Sequence, residues 1–267
     1  MKNKFLSILF GLIIAPIFGQ YLYVEYEHTV NVVKETGSFK MNAILVAEDN
    51  LSHYTVFFNN DKFKNISKVV KNQNDESSFH VFTSVDVGDS STLIYNKIDN
   101  RISLNLLDNG KPIVIEDNGV KFDWKLSDET KTIQNFKCTK ATVDFRGRQY
   151  IVWFTTDIPV SFGPWKFHDL PGLILQVHDV DNLFEWSATK IQYPIQIDKT
   201  LDAVHSGANF KVMSLRDYLK RQSEKRTEDE KMRLSKLPKG TRIVESKNEN
   251  KGIELVYEWE LDEDKKN

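Results

Sequence analysis

The feature that most constrains this chain is a two-residue alternation of apolar and polar side chains that recurs along most of its length. Near the start Leu22, Val24 and Tyr26 alternate with Glu25 and Glu27, and residues 253–261 alternate in the same way. Successive side chains of a strand point to opposite faces, so this period predicts strands with one buried face. The pattern therefore predicts a mainly β protein.

Turn signals divide the pattern into short strands in meander order. Glycines after polar residues predict tight turns at 108–110, 117–119 and 146–147. About thirteen strands in one sheet cannot stay flat, so the expected fold is a large curved antiparallel sheet or an open half-barrel. Besides the two end segments, the predicted strands lie near 39–48, 53–59, 79–83, 92–97, 101–107, 111–116, 121–126, 136–145, 148–156, 173–178 and 183–191.

One helix interrupts the strand pattern near the carboxyl end. Ser214 is a suitable N-cap, Asp217 follows three positions later, and Leu215 and Leu219 begin an apolar stripe. Residues 214–234 are therefore predicted to form a helix appended to the sheet. Most of its second half is charged, so we expect that half to project into solvent.

The first nineteen residues have the pattern of a secretory signal peptide. Lys2 and Lys4 precede an apolar run that ends near Gly19-Gln20, and the run is too short for a membrane-spanning helix. We expect cleavage there, leaving residues 20–267 as one mainly β domain with no transmembrane segment. Without the two lysines the formal net charge falls from −2 to −4, which does not suit a nucleic-acid-binding protein.

The sequence contains no motif for a nucleophile, a nucleotide or a metal centre. The six histidines include no His-x-x-x-His pair, so no zinc site is indicated. The single cysteine, Cys138, is interpreted as a buried structural thiol. His168-Asp169 and His178-Asp179 offer four donors, but an extended chain between the pairs would hold them roughly 17 Å apart. No metal, cofactor or catalytic residue is therefore assigned.

Residues 157–175 form the most distinctive stretch, because three of the seven prolines lie within it. It connects two predicted strands and should be a stiff crossing loop. Its aromatic side chains could wall a ligand cavity or plug the end of the sheet, and the plug is favoured because aromatics mostly serve core packing. The candidate ligand-contacting residues of this loop are Phe162, Trp165, Phe167, His168, Asp169, Leu170, Pro171 and Gly172.

At this loop the chain resembles the GLPGLI family, exported proteins found chiefly in Bacteroidota. The family motif matches Leu170-Pro171-Gly172-Leu173-Ile174, with Asp169 in place of its first glycine. Asp tolerates positive φ better than most side chains, so the turn should survive. The resemblance covers about 120–191 and implies a mostly β envelope protein, but it brings no catalytic residues. It includes Cys138–Thr142, Phe145–Arg148, Trp153–Pro159, Gly163–Phe167, Phe184 and Trp186.

Three functions remain open at this stage. The first is a non-catalytic envelope protein, periplasmic or associated with the outer membrane, that binds an apolar ligand or an outer-membrane partner in the concave face of the sheet. The second is an envelope hydrolase that uses Asp157, His168 and Asp169 as acid and base. The third is an accessory protein that acts through a sheet edge. The first is favoured, and convergence of the three polar side chains would favour the second.

Overall fold

The computed structural model describes residues 21–31, 37–58, 60–61, 63–64, 90–195, 210–238 and 252–264. The predicted signal peptide, 1–19, and the predicted strand near 79–83 lie outside the described residues. In the described part no helix is long and apolar enough to cross a membrane.

In the described residues twelve strands form a single open sheet, which confirms the predicted mainly β fold. The sheet order is β12-β6-β5-β4-β3-β2-β1-β11-β10-β9-β8-β7, and every pairing is antiparallel except that of β12 with β6. The strands are β1 Tyr21–Val30, β2 Phe39–Glu48, β3 Leu51–Phe57, β4 Ser90–Asn96, β5 Arg101–Asp108, β6 Lys111–Asn118, β7 Lys125–Ile133, β8 Phe136–Phe145, β9 Arg148–Thr155, β10 Leu173–Asp179, β11 Phe184–Ile195 and β12 Lys211–Ser214.

Two of the three predicted tight turns join adjacent strands. Asn109-Gly110 connects β5 to β6 and Arg146-Gly147 connects β8 to β9, with positive φ at all four residues. The third prediction was wrong in its topology. Gly119 has positive φ, but the chain then leaves the sheet and crosses to the opposite edge, where β7 begins.

The crossing segment, residues 119–124, replaces the strand predicted near 121–126. Val120 is buried, and Phe122 and Trp124 pack against the main core. These side chains fill the open side of the sheet, so the segment packs as a cover and does not pair as a strand. The sheet itself curls, because Asp117 of β6 touches Arg146 of the β8–β9 turn although their strands lie near opposite edges.

The main core lies on the inner face of this curled sheet. Apolar side chains from nine strands meet there, and the β9–β10 loop and the crossing segment pack among them. A second cluster on the inner face of β5 and β6 is covered by the first turns of the long helix. The buried residues of the main cluster include Leu22, Val24, Tyr26, Leu45, Tyr95, Ile102, Tyr150, Val152, Phe154, Leu175, Val177 and Trp186.

The long helix, α1 (Leu215–Ser235), confirms the prediction to within one residue at each end. The Ser214 hydroxyl accepts a hydrogen bond from the Asp217 backbone N–H at 3.1 Å and donates one to the Asp217 carboxylate at 2.8 Å. Apart from Leu215 its residues are not buried, as the charged second half predicts.

The strand predicted over 253–261 is not formed. Residues 252–257 are irregular and a short helix, α2 (Glu258–Asp264), follows. The backbone of Leu255 and Val256 donates to the carbonyl of Arg146, which belongs to a turn. Since a turn offers no ladder, the segment does not pair as a strand, and side-chain contacts with Arg146 add to these backbone bonds.

Candidate functional site

The β9–β10 loop, residues 157–172, occupies the interior of the curled sheet, and we call it the plug loop. Ile158, Phe162, Phe167 and Leu170 are at most 3% exposed. Phe167 lies at the centre of a ring cluster with centroid distances of 5.0 to 6.3 Å to its partners. Those partners are Phe122, Trp124, Tyr150, Trp165 and Trp186. The loop therefore fills the concavity in which an apolar ligand was predicted to bind.

Trp165 differs from the other aromatic side chains of the plug loop because it is only half-buried. Its φ is +53°, a conformation that bulky residues seldom adopt. The indole stacks on the fully buried Trp186, with centroids 5.8 Å apart and ring planes 10° apart. Packing against Trp186 thus holds the backbone of Trp165 in an uncommon conformation.

The motif at the end of the plug loop is explained by close backbone packing. A Cβ atom added to Gly172 would lie 2.0 Å from the carbonyl oxygen of Thr155, so no other residue fits. Leu170 is buried and Pro171 is exposed. Asp169 has a φ of +69°, which agrees with the expectation that Asp at the motif's first glycine position keeps the turn.

His168 and Asp169 are brought together by the loop. His168 is 1% exposed and stacks on Tyr95 with centroids 4.0 Å apart. Its Nδ1 lies 2.9 Å from Asp169 Oδ2. This contact holds the pKa of the Asp169 carboxyl below its ordinary value. The imidazole is enclosed by aromatic rings and presents no surface to a substrate.

Asp157, the third residue of the hydrolase hypothesis, lies apart from this pair. It is exposed, and its backbone N–H donates to Thr155 Oγ1 at 3.2 Å. Within the described part of the chain no hydrogen bond or ion pair joins it to His168 or Asp169. The structure therefore unites two of the three proposed acid and base groups and leaves the third separate.

Cys138 is buried in β8, as predicted for a structural thiol. Burial raises the pKa of its thiol to about 11, and nearby Asp157 adds to that effect. The ladder of β8 with β9 is continuous through Lys140, whereas the ladder with β7 shifts register between Leu126 and Thr130, opposite Lys140. Cys138 and Ala141, on either side of this irregularity, are both buried.

An ionic cluster joins β6, the β8–β9 turn and the plug loop. Arg146 donates to both carboxylate oxygens of Asp117 at 2.7 and 2.8 Å, and Lys166 of the plug loop donates to the same carboxylate at 2.6 Å. Both cations also donate to Glu254. Burial opposes ionisation of Asp117, but the two cations outweigh it and hold the pKa of that carboxyl below its ordinary value.

The outer face of β7–β11 has a half-exposed polar cluster around one indole, and we call it the outer-face cluster: Lys131, Trp153, Gln176, Glu185 and Ser187. The Lys131 ammonium lies 4.2 Å from the Trp153 ring centroid and donates to the Gln176 amide oxygen at 2.5 Å. The Gln176 amide nitrogen donates to Glu185 at 2.8 Å and to Ser187 at 3.2 Å. Cross-strand pairing of Trp153 with Gln176, and of Gln176 with Ser187, places these side chains on one face.

Sequence reasoning missed the outer-face cluster. Residues 150–154 are continuously apolar, a pattern that is typical of a strand covered on both faces. In the structure Tyr150, Val152 and Phe154 are buried on the inner face, whereas Ile151 and Trp153 are only half-buried. The polar residues at every second position of β10 and β11 were the available signal, because they indicate a face in contact with water.

Comparison with known protein families gives one match that covers most of the chain. Residues 41–217 match the family described as "N-glycanase peptide, N-terminal domain". The chain belongs to this family. No curated protein sequence matches it. The resemblance to the GLPGLI family is not tested by these comparisons and stays a prediction.

Solved structures support the fold of this N-glycanase N-terminal domain family. Two structures of PNGF-II, in space groups C2 and P21, each align over 75% of this chain with 18% identity and a TM-score of 0.51. The alignment spans 32% of the PNGF-II chain, about a third of its length. A DUF1329 family protein from Desulfovibrio piger aligns with a TM-score of 0.30 and 7% identity.

Proposed function

We propose that this chain is an exported, non-catalytic binding module that recognises N-glycosylated polypeptides through its outer-face cluster. The family name supplies the class of substrate, and the family region is described as an amino-terminal domain. The signal-peptide pattern of residues 1–19 supports export. In this proposal the chain binds the glycosylated polypeptide, and a different protein or domain releases the glycan.

The observation that carries the proposal is that the inner face of the sheet is filled by other parts of the chain, whereas the outer face is open to solvent. The inner face is filled by the plug loop, by residues 119–124 and by the first turns of α1, so binding of an apolar ligand there would require these segments to leave. The outer face has a half-exposed indole beside an amide, a carboxylate, a hydroxyl and an ammonium. Binding is therefore better supported on the outer face.

The chemistry of the outer-face cluster suits a sugar. A pyranose ring has an apolar C–H face and a rim of hydroxyl groups, so it can pack on an indole while its hydroxyls bond to neighbouring polar groups. Gln176 is already oriented by Lys131 on one side and by Glu185 and Ser187 on the other. Sites held in place by such contacts lose little freedom on binding.

The hydrolase hypothesis receives less support from the geometry. General acid and base groups need to reach the reacting bond within hydrogen-bond distance. His168 is enclosed by Tyr95 and Phe122, and Asp157 is exposed elsewhere. A substrate that met Asp157 would not meet the imidazole.

Calorimetric titration of residues 20–267 with an N-glycosylated peptide tests the proposal. We expect saturable binding that the same peptide without its glycan does not show. Trp153→Ala should weaken binding about two- to twelvefold, since an aromatic contact contributes about 0.5–1.5 kcal/mol. Phe39→Ala removes an exposed ring on the distant strand β2 and should leave binding unchanged. Equal binding by the Trp153→Ala and wild-type chains would contradict the proposal.

A further inference from the structure

The terminal segment, residues 252–258, lies in a cleft beside the β8–β9 turn, and we call it the terminal cleft. Its walls are Arg146, Arg148 and Tyr150 from the turn and β9, and Lys166 from the plug loop. The segment is remote in sequence from all four residues. The cleft therefore holds one part of the chain as it would hold a separate peptide.

Four hydrogen bonds in the cleft engage the backbone of the segment. Arg148 Nε donates to the Gly252 carbonyl at 2.9 Å, and the Tyr150 hydroxyl donates to the Ile253 carbonyl at 2.9 Å. The N–H groups of Leu255 and Val256 donate to the Arg146 carbonyl at 2.8 and 3.2 Å. Main-chain bonds of this kind give affinity for an extended peptide with little regard to its sequence.

Side-chain contacts supply the selectivity. Glu254 accepts hydrogen bonds from Arg146 at 2.5 Å and from Lys166 at 2.7 Å, and Glu258 accepts two from Arg146 at 3.0 and 3.1 Å. Two glutamates four positions apart thus meet two buried cations. Hydrogen bonds between ionised partners are about twice as strong as neutral ones.

The charge of the cleft requires an anionic occupant. Without the terminal segment, the nearly buried cations Arg146 and Lys166 would share one carboxylate, that of Asp117. Arg148 is already paired with Asp179 at 3.1 Å. One positive charge of the cleft would then lack a carboxylate partner, which favours an acidic occupant. Glu254 supplies the missing charge.

We propose that the terminal cleft is a peptide-binding site for an extended acidic segment, and that the terminal segment of a second copy of this chain can occupy it. The thirteen residues 239–251 separate α1 and its following turn from the segment. Fully extended, such a stretch spans at most about 45 Å, which is enough to reach a neighbouring copy. The resident segment competes with any added peptide because it is tethered.

Binding of a fluorescent peptide with the sequence of residues 252–264 to the full chain tests this proposal. Glu254→Gln in the full chain weakens the resident segment, so that chain should bind the peptide at least about tenfold more tightly than the wild type. Glu230→Gln, a matched change in an exposed ion pair of α1, should bind like the wild type. A peptide with glutamine at both glutamate positions should bind none of the three chains.

Thermal unfolding separates loss of the site from loss of the fold. The peptide should raise the midpoint of the Glu254→Gln chain by replacing the missing carboxylate, and sedimentation should show dimers of the wild-type chain that excess peptide converts to monomers. Equal peptide binding by the Glu254→Gln and wild-type chains would overturn the proposal. Equal binding of the glutamate and glutamine peptides would overturn it as well, as would a monomer at every concentration.

Discussion

Phe167→Ala is the most informative test of the plug loop. The ring is 1% exposed and contacts five other aromatic rings. Replacement of a buried Phe by Ala costs about 3–5 kcal/mol, since the transfer free energy is lost and a cavity remains. In a domain of this size each kcal/mol lowers the melting temperature by about 2–4 °C, so we expect a decrease of about 6–20 °C.

Urea unfolding followed by tryptophan fluorescence measures this free energy directly. Phe39→Ala is the matched control, because Phe39 is 61% exposed and its loss should change stability by less than about 0.5 kcal/mol. A cost below about 1 kcal/mol for Phe167→Ala would refute the packing argument. It would mean that the plug loop leaves the inner face readily, as a carrier of apolar ligands requires.

Three further predictions concern single side chains. Asp117→Asn should lower the free energy of unfolding by about 3–5 kcal/mol at pH 7. Because the folded pKa of Asp117 is lowered, its ionic stabilisation is full above about pH 4 and is lost as pH falls through the folded pKa. The difference in urea stability between the wild type and Asp117→Asn should therefore shrink below pH 4. Gly172→Ala should give insoluble or strongly destabilised protein, because its Cβ would lie 2.0 Å from the Thr155 carbonyl oxygen; Pro171→Ala, at an exposed position, should remain soluble. Cys138 should resist a thiol reagent at pH 8 in the native protein and react in urea, since the thiol is buried and its pKa is about 11; rapid native labelling would contradict this.

The strands and the long helix could be predicted from sequence because their signals are local. The alternation at Leu22, Val24 and Tyr26, and the cap at Ser214, depend only on neighbouring residues. The topology was less accessible. Asn118-Gly119 has the composition of a hairpin turn, but the chain crosses the open side of the sheet there, because residues 119–124 are needed to cover it.

The terminal segment shows why a correct period can give a wrong element. Residues 253–261 alternate as a strand does, but the available partner is the Arg146 turn, which offers one carbonyl and two cations. Glu254 and Glu258 then decide the structure through ionic contacts. Such contacts join residues more than 100 positions apart, and no local pattern indicates them.

The candidate site was predicted in part. The plug loop was identified from its prolines and aromatics, and the structure shows those aromatics packed in the core, with Trp165 as the partly exposed member. The outer-face cluster was missed because Lys131, Trp153, Gln176 and Glu185 come from four strands, and their proximity depends on strand order. Strands β7 to β11 lie side by side in chain order, as a meander predicts, but β7 was predicted near 121–126 and so did not include Lys131.

Incubation of residues 20–267 with an N-glycosylated peptide, followed by mass spectrometry of the peptide, tests the central claim most directly. The proposed binding module should retain the glycopeptide on a column carrying the protein and return it with its mass unchanged. Release of the glycan by the chain alone, abolished by His168→Gln, would contradict the claim and favour the hydrolase hypothesis.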